Sequence, residues 1–283
     1  MARKSPTVVE LAIVGAILLI IGSIVSSAIR RRSSGVSTAS PTSALEESAA
    51  DREARELTAT LRARLTPPAG TVWKDGLAAV VLVDVSGSMH DRIKGERRRK
   101  IEAAQAAAID LVGAFARYAT AHPDTPVLVG VHEFSARSGA PAAREVVPLG
   151  TPNPAAARDA IQAMKAGGGT PIGEAMAVAR LALDRSGLKR RHLLVVTDGE
   201  NTDGPDPALV ASVLEKQPEE AKASLYFVAF DVDAAAFAPV KKAGALLLSA
   251  KSGTELAATF DELLSDRILV EAPRVTVEQP RTP

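Results

Sequence analysis

The sequence predicts an α/β fold built on a doubly wound, mostly parallel sheet with helices on both faces. Short apolar runs of strand length alternate along the chain with longer stretches of helical pattern, and this alternation is typical of a parallel sheet that is covered on both sides. The hydrophobic content of 46% is sufficient for a buried core, and the aromatic content of 3% indicates that Val, Leu, Ile and Ala fill that core.

The individual elements follow from this pattern. Five apolar runs are predicted to form buried strands, at residues 78–83, 127–131, 193–196, 225–230 and 245–248. Four helical patterns separate them, at residues 101–119, 172–183, 207–216 and 254–264. A further short run at 145–149 follows a polar turn that contains Ser138 and Gly139. This run can pair antiparallel at an edge, so we predict six strands in all.

An uncharged apolar stretch at residues 11–29 precedes these elements, and three arginines follow it at residues 30–32. A helix of that length spans roughly 28 Å, close to the hydrocarbon thickness of a bilayer. A cleaved signal peptide is the alternative, because Ser26, Ser27 and Ala28 resemble a cleavage site. A typical signal core is shorter, however, and three arginines at the start of a mature chain oppose export. We therefore predict a retained single-pass anchor over residues 1–32.

The orientation of this anchor depends on the balance of positive charge around it. The arginines at 30–32, with Arg52 and Arg55 farther on, outweigh Arg3, Lys4 and the amino terminus. The positive-inside rule then favours a cytoplasmic position for the carboxyl-terminal domain, and it leaves an exported position open.

The remaining chain divides into three parts. Residues 33–75 are predicted to be a flexible tether followed by a helical spacer, because Ser, Thr, Gly and Pro give way to a stretch rich in Ala, Glu and Arg. A dimerising stalk and a solvated decoration on the main domain remain open for that helix. Residues 76–269 form the main domain, and residues 270–283 are predicted to be a disordered tail.

Oxygen-bearing side chains follow the predicted strands at the points where the strands end. Asp84, Ser86 and Ser88 come directly after the first strand, Thr170 follows three glycines, and Asp198 comes after residues 193–197. The carboxyl ends of parallel strands meet at one edge of a sheet, where α/β folds bind ligands. Hydroxyl and carboxylate oxygens without His or Cys suit Mg²⁺ or Mn²⁺ ahead of Ca²⁺. The sequence therefore predicts a metal site formed by these five residues.

Each residue of this set also has an ordinary structural explanation. Ser86 and Ser88 are common in turns, and Thr170 before Pro171 is a good N-cap for the following helix. Asp198 can simply end a strand in an Asp-Gly turn. The conjunction of the three segments, in order and on successive strand ends, favours the metal site.

These residues resemble the metal-ion-dependent adhesion site (MIDAS) of the von Willebrand factor type A (VWA) family, which has a D-x-S-x-S motif, a distant Thr and a distant Asp. The resemblance covers roughly residues 76–269. It implies a six-stranded sheet with one antiparallel edge strand. It implies that Ser86, Ser88 and Thr170 contact the cation directly, while Asp84 and Asp198 act largely through water. It also implies a protein partner whose Asp or Glu completes the metal's coordination.

Several classes of function are not expected. The net charge of +1 does not favour nucleic acid, the lack of Cys excludes thiolate chemistry, and the four scattered His do not suit zinc. No phosphate loop, dinucleotide fingerprint or nucleophile elbow is present, and His192 is expected to start a strand at the edge opposite the site. We therefore expect a binding module and not an enzyme, of unknown oligomeric state.

Two alternatives to a tethered binding module remain. One is a partner subunit of an ATP-hydrolysing machine or an envelope assembly complex, as some members of the VWA family are. The other is a structural domain that a metal stabilises without any partner. A separate open point is the basic run at residues 97–100 with Lys94 before it. These charges either attract an acidic partner near the metal or form a solvated face.

Overall fold

The computed structural model describes residues 49–270. The predicted membrane helix at 11–29, the start of the tether and the predicted tail from residue 271 onwards lie outside these residues. Between residues 49 and 270, no helix combines the length and the apolar character that crossing a bilayer requires.

The core of the structure is one sheet of six strands. The strands are β1 (Lys74–Asp84), β2 (Val127–Phe134), β3 (Ala143–Gly150), β4 (Leu188–Thr197), β5 (Ser224–Phe230) and β6 (Leu246–Ala250). Their order across the sheet is β3-β2-β1-β4-β5-β6. Strand β3 pairs antiparallel with β2, and the other pairs are parallel. The predicted sheet with one antiparallel edge strand is thus confirmed.

The helices connect and cover these strands. They are α1 (Ala49–Leu65), α2 (Lys100–Ala121), α3 (Pro154–Gln162), α4 (Ile172–Arg185), α5 (Pro207–Glu215), α6 (Ala238–Lys242) and α7 (Gly253–Leu263), and a π-helical segment, Leu264–Ile268, extends the last of them. The sequence prediction missed the short helices α3 and α6. A signal for α3 was present, because Asn153 caps it and Pro154 occupies its first turn.

The central strand β1 separates two apolar cores. Alternate side chains, such as Val81 and Val83, pack with α2, α3 and α7 on one face. The intervening ones, such as Val80 and Leu82, pack with α4 and α5 on the other. Successive side chains of a strand point to opposite faces, so a strand that is apolar throughout is buried on both sides. The helices on both faces therefore agree with the prediction.

Helix α1 packs on the second of these faces through its final turns. Leu61 and Leu65 are buried in the same core as α4 and α5. The guanidinium of Arg64 donates two hydrogen bonds, of 2.9 and 2.6 Å, to the carboxylate of Glu174 in the first turn of α4. By contrast, Leu57 is 40% exposed. The carboxyl end of the predicted spacer helix is therefore in contact with the main domain.

Buried arginines occupy the amino edge of the sheet, opposite the predicted site. Arg180 of α4 and Arg191 of β4 both contact the carboxylate of Asp184. Arg180 also donates to the carbonyl oxygen of Ala221 at 2.6 Å. His192 lies in the middle of β4, because the strand begins four residues earlier at Leu188, and its side chain is buried. The expectation that His192 starts the strand is therefore wrong.

We expect Leu65→Ala to lower the free energy of unfolding by about 2–4 kcal/mol, because it leaves a cavity under α1. Leu57→Ala on the same helix is the matched control and should change it by no more than about 0.5 kcal/mol. Urea unfolding followed by circular dichroism measures both. Equal small effects would show that α1 does not pack on the domain in solution.

Candidate metal centre

Parallel pairing of the two central strands brings the predicted aspartates together. β1 and β4 are neighbours in the sheet, and Val83 pairs with Val196 at their carboxyl ends. Asp84 is the last residue of β1, and Asp198 follows the last residue of β4. Both carboxylates therefore lie at the same edge, as predicted from the apolar run that precedes each of them.

The carboxylate of Asp84 is fully buried and held by donors on both oxygens. Its Oδ1 accepts a hydrogen bond from the backbone N–H of Ser86 at 2.7 Å, and its Oδ2 accepts one from the hydroxyl of Thr197 at 2.6 Å. Burial raises the pKa of Asp84 to about 6, and the negative charge of Asp198 adds to the rise, while the hydrogen bonds from Thr197 and Ser86 oppose it. A nearby cation would favour the charged form of the Asp84 carboxylate.

Two serine hydroxyls connect this carboxylate to Asp198. The hydroxyl oxygens of Ser86 and Ser88 are 3.1 Å apart, and Ser88 donates a hydrogen bond of 2.6 Å to Asp198 Oδ1. Neighbouring ligands of an octahedral Mg²⁺, with bonds near 2.1 Å, lie about 3 Å apart. The two hydrogen-bonded spacings lie on either side of that value, so these three side chains are close enough together to contact one cation.

Thr170 completes the set from a third loop. Its backbone N–H donates to the hydroxyl of Thr202 at 2.7 Å, and its carbonyl oxygen accepts from the N–H of Thr202 at 3.0 Å. The N-cap of α4 is Pro171, with no side-chain cap, so the alternative that Thr170 caps this helix is wrong. A Cβ at Gly199 would lie 3.8 Å from the Thr170 hydroxyl and 3.6 Å from that of Ser88. Both hydroxyls thus lie within 4 Å of one point beside Gly199.

The three glycines before Thr170 allow the loops to approach each other closely. Gly167 N–H donates to the carbonyl oxygen of Val85 at 2.7 Å, and Gly87 N–H donates to that of Gly168 at 2.9 Å. Gly168 has a φ of +93°, and a Cβ there would overlap the carbonyl oxygen of Ala136. Only glycine meets both conditions without strain. The glycine run therefore fixes Thr170 beside the serine loop.

Sequence reasoning missed two charged groups at the site. The ammonium of Lys100, at the start of α2, lies 3.0 Å from Asp198 Oδ2 and 3.3 Å from Asp231 Oδ2. Burial lowers the pKa of Lys100, but the hydrogen bonds and charges of Asp198 and Asp231 outweigh it, so the net pKa is raised. Asp231 directly follows β5, as Asp198 follows β4, and the same rule applied to this strand would have found it. Its φ is +51°.

Thr197 was also missed, although its position carried a signal. Its hydroxyl is buried at the end of β4, directly after four aliphatic residues. A buried hydroxyl needs a hydrogen-bond partner. It donates to Asp84 and accepts a hydrogen bond of 3.3 Å from the N–H of Gly199. Thr197 therefore links the two aspartate loops.

The donor set fits a hard cation. Within residues 49–270, no group of three or more His, Cys, Asp and Glu side chains is placed to hold a metal. A cation at this edge must therefore rely on hydroxyl oxygens as well as on Asp84 and Asp198. Oxygen donors of this kind suit Mg²⁺ or Mn²⁺, and they do not suit Zn²⁺, which prefers nitrogen and sulfur.

Comparison with known proteins gave a family match and a set of similar folds. Residues 79–200 match the family model described as the von Willebrand factor type A domain, and this segment contains all five predicted site residues. No curated protein sequence matches the chain.

Three solved structures illustrate the likeness of fold. The SpRpn10 VWA domain has a TM-score of 0.53 and 12% identity, covering 67% of this chain and 95% of its own. BatB from Bacteroides thetaiotaomicron, a conserved hypothetical protein, has a TM-score of 0.51 and 18% identity, covering 66% and 97%. A von Willebrand factor type A protein from Catenulispora acidiphila has a TM-score of 0.52 and 21% identity, covering 67% and 42%.

We expect Thr197→Val to lower the free energy of unfolding by about 1–3 kcal/mol, because it leaves Asp84 Oδ2 buried without its donor. Thr197→Ser keeps a hydroxyl and should recover most of that loss. Denaturant unfolding in the presence of a chelator measures both variants. Equal losses in the two would mean that the methyl group, and not the hydrogen bond, is what matters.

Lys100→Met should lower the free energy of unfolding by about 2 kcal/mol in chelator, because Asp198 and Asp231 lose their buried counter-charge. Saturating Mg²⁺ should reduce this loss. Lys222→Met removes a partly exposed lysine paired with Glu215 and Glu219, and it should cost at most about 1 kcal/mol in either condition. A Lys100→Met loss that is identical with and without Mg²⁺ contradicts the proximity of the ammonium to a cation site.

Proposed function

We propose that this chain contains a von Willebrand factor type A domain, which the family match over residues 79–200 and the likeness of fold support, and that this domain is a metal-dependent protein-binding module. The cation would be Mg²⁺ or Mn²⁺, ahead of Ca²⁺, held by Asp84, Ser86, Ser88, Thr170 and Asp198. The observation that carries the proposal is the Ser88 hydroxyl, which lies 3.1 Å from that of Ser86 and 2.6 Å from Asp198 Oδ1.

The roles of the side chains follow from their surroundings. Asp84 supplies negative charge from a fixed position, because Ser86 N–H and the Thr197 hydroxyl hold both of its oxygens. Asp198 shares its charge with Lys100, which leaves its Oδ1 on the side of the serines. The hydroxyls of Ser86, Ser88 and Thr170 carry no charge. A bound cation would therefore stay electrophilic, and its chemistry is to accept a carboxylate from outside.

The partner in this proposal is a protein that supplies an Asp or Glu. The domain itself would be tethered to a membrane through residues 11–29, with its carboxyl-terminal part favoured on the cytoplasmic side. We do not propose catalysis. Asp84 and Asp198 accept hydrogen bonds from neighbouring groups, and Lys100 is ion-paired with Asp198 and Asp231, which supports a binding role for these groups.

Asp84→Ala should abolish the response of the protein to metal. In the unchanged chain, we expect Mg²⁺ or Mn²⁺ at about a hundredfold excess over its Kd to add about 2.7 kcal/mol to the free energy of unfolding. The variant should gain nothing. Thermal unfolding with Mg²⁺, Mn²⁺, Ca²⁺ or chelator measures this difference.

Asp110→Ala is the control for this experiment, because Asp110 is an exposed carboxylate on α2 and should leave the metal response unchanged. A metal response that survives Asp84→Ala rules out the proposed site. A metal response without any metal-dependent binding of a carboxylate ligand would point instead to a structural domain that the metal stabilises.

A further inference from the structure

The loop that leads from the site to α2 is basic and well anchored. This basic loop, residues 91–99, exposes Arg92, Lys94, Arg97 and Arg98 beside one exposed carboxylate, that of Asp91. Ile93 is only 1% exposed and anchors the loop in the core. Glu96 Oε1 accepts a hydrogen bond of 3.1 Å from the N–H of Gly253. The charges therefore project from a fixed backbone.

The charges of Arg92, Lys94 and Arg97 are not neutralised within the part of the chain that the structure describes. No carboxylate between residues 49 and 270 comes within 4.0 Å of the side-chain nitrogens of Arg92, Lys94 or Arg97. Arg92 also faces Arg99 across an antiparallel bridge, and directly opposed like charges destabilise such a pairing. The loop thus keeps mutually repelling charges that contribute nothing visible to the fold.

The basic loop lies on one flank of the metal site. Lys94 N–H donates to Asp231 Oδ2 at 3.3 Å, and Lys100, which follows the loop, contacts both Asp231 and Asp198. Positive charge therefore begins next to Asp198, a residue of the proposed metal site, on the side of β5.

The opposite flank is acidic. The loop at residues 199–206 follows Asp198 and exposes Glu200 and Asp203. It lies beside Thr170, because the N–H of Thr202 donates to the carbonyl oxygen of Thr170 at 3.0 Å. The site therefore has the charges of the basic loop on the β5 side and the carboxylates of Glu200 and Asp203 on the Thr170 side. Asp231 also lies on the first of these sides, and Arg137, which donates to the carbonyl oxygen of Gly167 at 3.0 Å, lies on the second.

We propose that the partner's metal-binding carboxylate belongs to an acidic protein segment, whose further carboxylates contact the basic loop at Arg92, Lys94 and Arg97. This inference rests on the proposed function and specifies its partner. Glu200 and Asp203 in the loop at 199–206 repel carboxylates on the other flank, so they favour a segment that extends towards the basic loop. A long nucleic acid carries charge on both flanks of any contact and fits this surface less well.

The probes for this proposal are two fluorescent peptides of equal length. One is deca-glutamate, and the other has a single Glu among Gln residues. In Mg²⁺ and low salt, deca-glutamate should bind the full chain about tenfold more tightly, measured by fluorescence anisotropy, because the close charges on the loop add to the metal contact. The advantage should shrink as salt is added, since exposed charges are screened.

The variant that tests the loop is Arg92→Glu/Lys94→Glu/Arg97→Glu. It should remove the advantage of deca-glutamate and leave the Mg²⁺-induced thermal stabilisation in place. The matched control is Lys216→Glu/Lys241→Glu/Lys242→Glu, which makes the same change in net charge on exposed residues at the amino edge of the sheet. The control should keep most of the advantage.

The outcomes separate this inference from the proposed function. If both peptides bind equally in Mg²⁺, or if the loop variant keeps the preference, the acidic-segment inference is wrong while metal-dependent binding stands. If deca-glutamate binds as tightly to Asp84→Ala or in chelator, the metal bridge is wrong and the combined proposal falls. Absence of binding by deca-glutamate at low salt, or equally tight binding of a single-stranded DNA of the same length, also overturns the inference.

Discussion

The parallel pairing of β1 with β4 is the constraint on which the site depends. It places Asp84 and Asp198 at one edge, and β5 adds Asp231 beside them. Three carboxylates so close together repel one another and are costly to bury. The local structure offsets this cost with fixed donors: Ser86 N–H, the hydroxyls of Ser88 and Thr197, and the ammonium of Lys100. Three carboxylates and one ammonium give the cluster an excess of negative charge, which a divalent cation would neutralise.

The polar groups at the two edges of the sheet differ in kind. At the amino edge, Arg180 and Arg191 are buried and share Asp184 and nearby carbonyl oxygens, so their charge is used within the fold. At the carboxyl edge, the hydroxyl of Ser88 contacts Ser86 and Asp198, and it lies with the hydroxyl of Thr170 within 4 Å of one point beside Gly199. The first arrangement holds α4 and β4 together. The second gathers oxygen atoms at the edge where we propose that a cation binds.

Much of the fold, and the position of the five residues at one edge of the sheet, could be predicted because both depend on local patterns. An apolar run followed by a carboxylate indicates the end of a strand, and Asp84 and Asp198 were found in this way. Lys100 could not be assigned, because a lysine at the start of a helix is unfavourable for the helix dipole and only tertiary contact with two aspartates explains it. Thr170 was ambiguous for a related reason. The sequence shows that a Thr precedes a helix, whereas the direction of its hydroxyl depends on Thr202 and the glycine run.

The contact between Arg64 and Glu174 has a mechanical consequence. A force applied to the chain before α1 is transmitted to the domain through the last turns of that helix. There, Leu61 and Leu65 pack with α4 and α5, and Arg64 forms an ion pair with Glu174 of α4. Glu174 is four residues after Thr170, in the first turn of the helix that the Thr170 loop leads into. Tension would therefore be delivered within one helical turn of a proposed metal ligand. A force on the amino-terminal segment and the binding of a ligand at the proposed metal would then both act on the short backbone segment from Thr170 to Glu174.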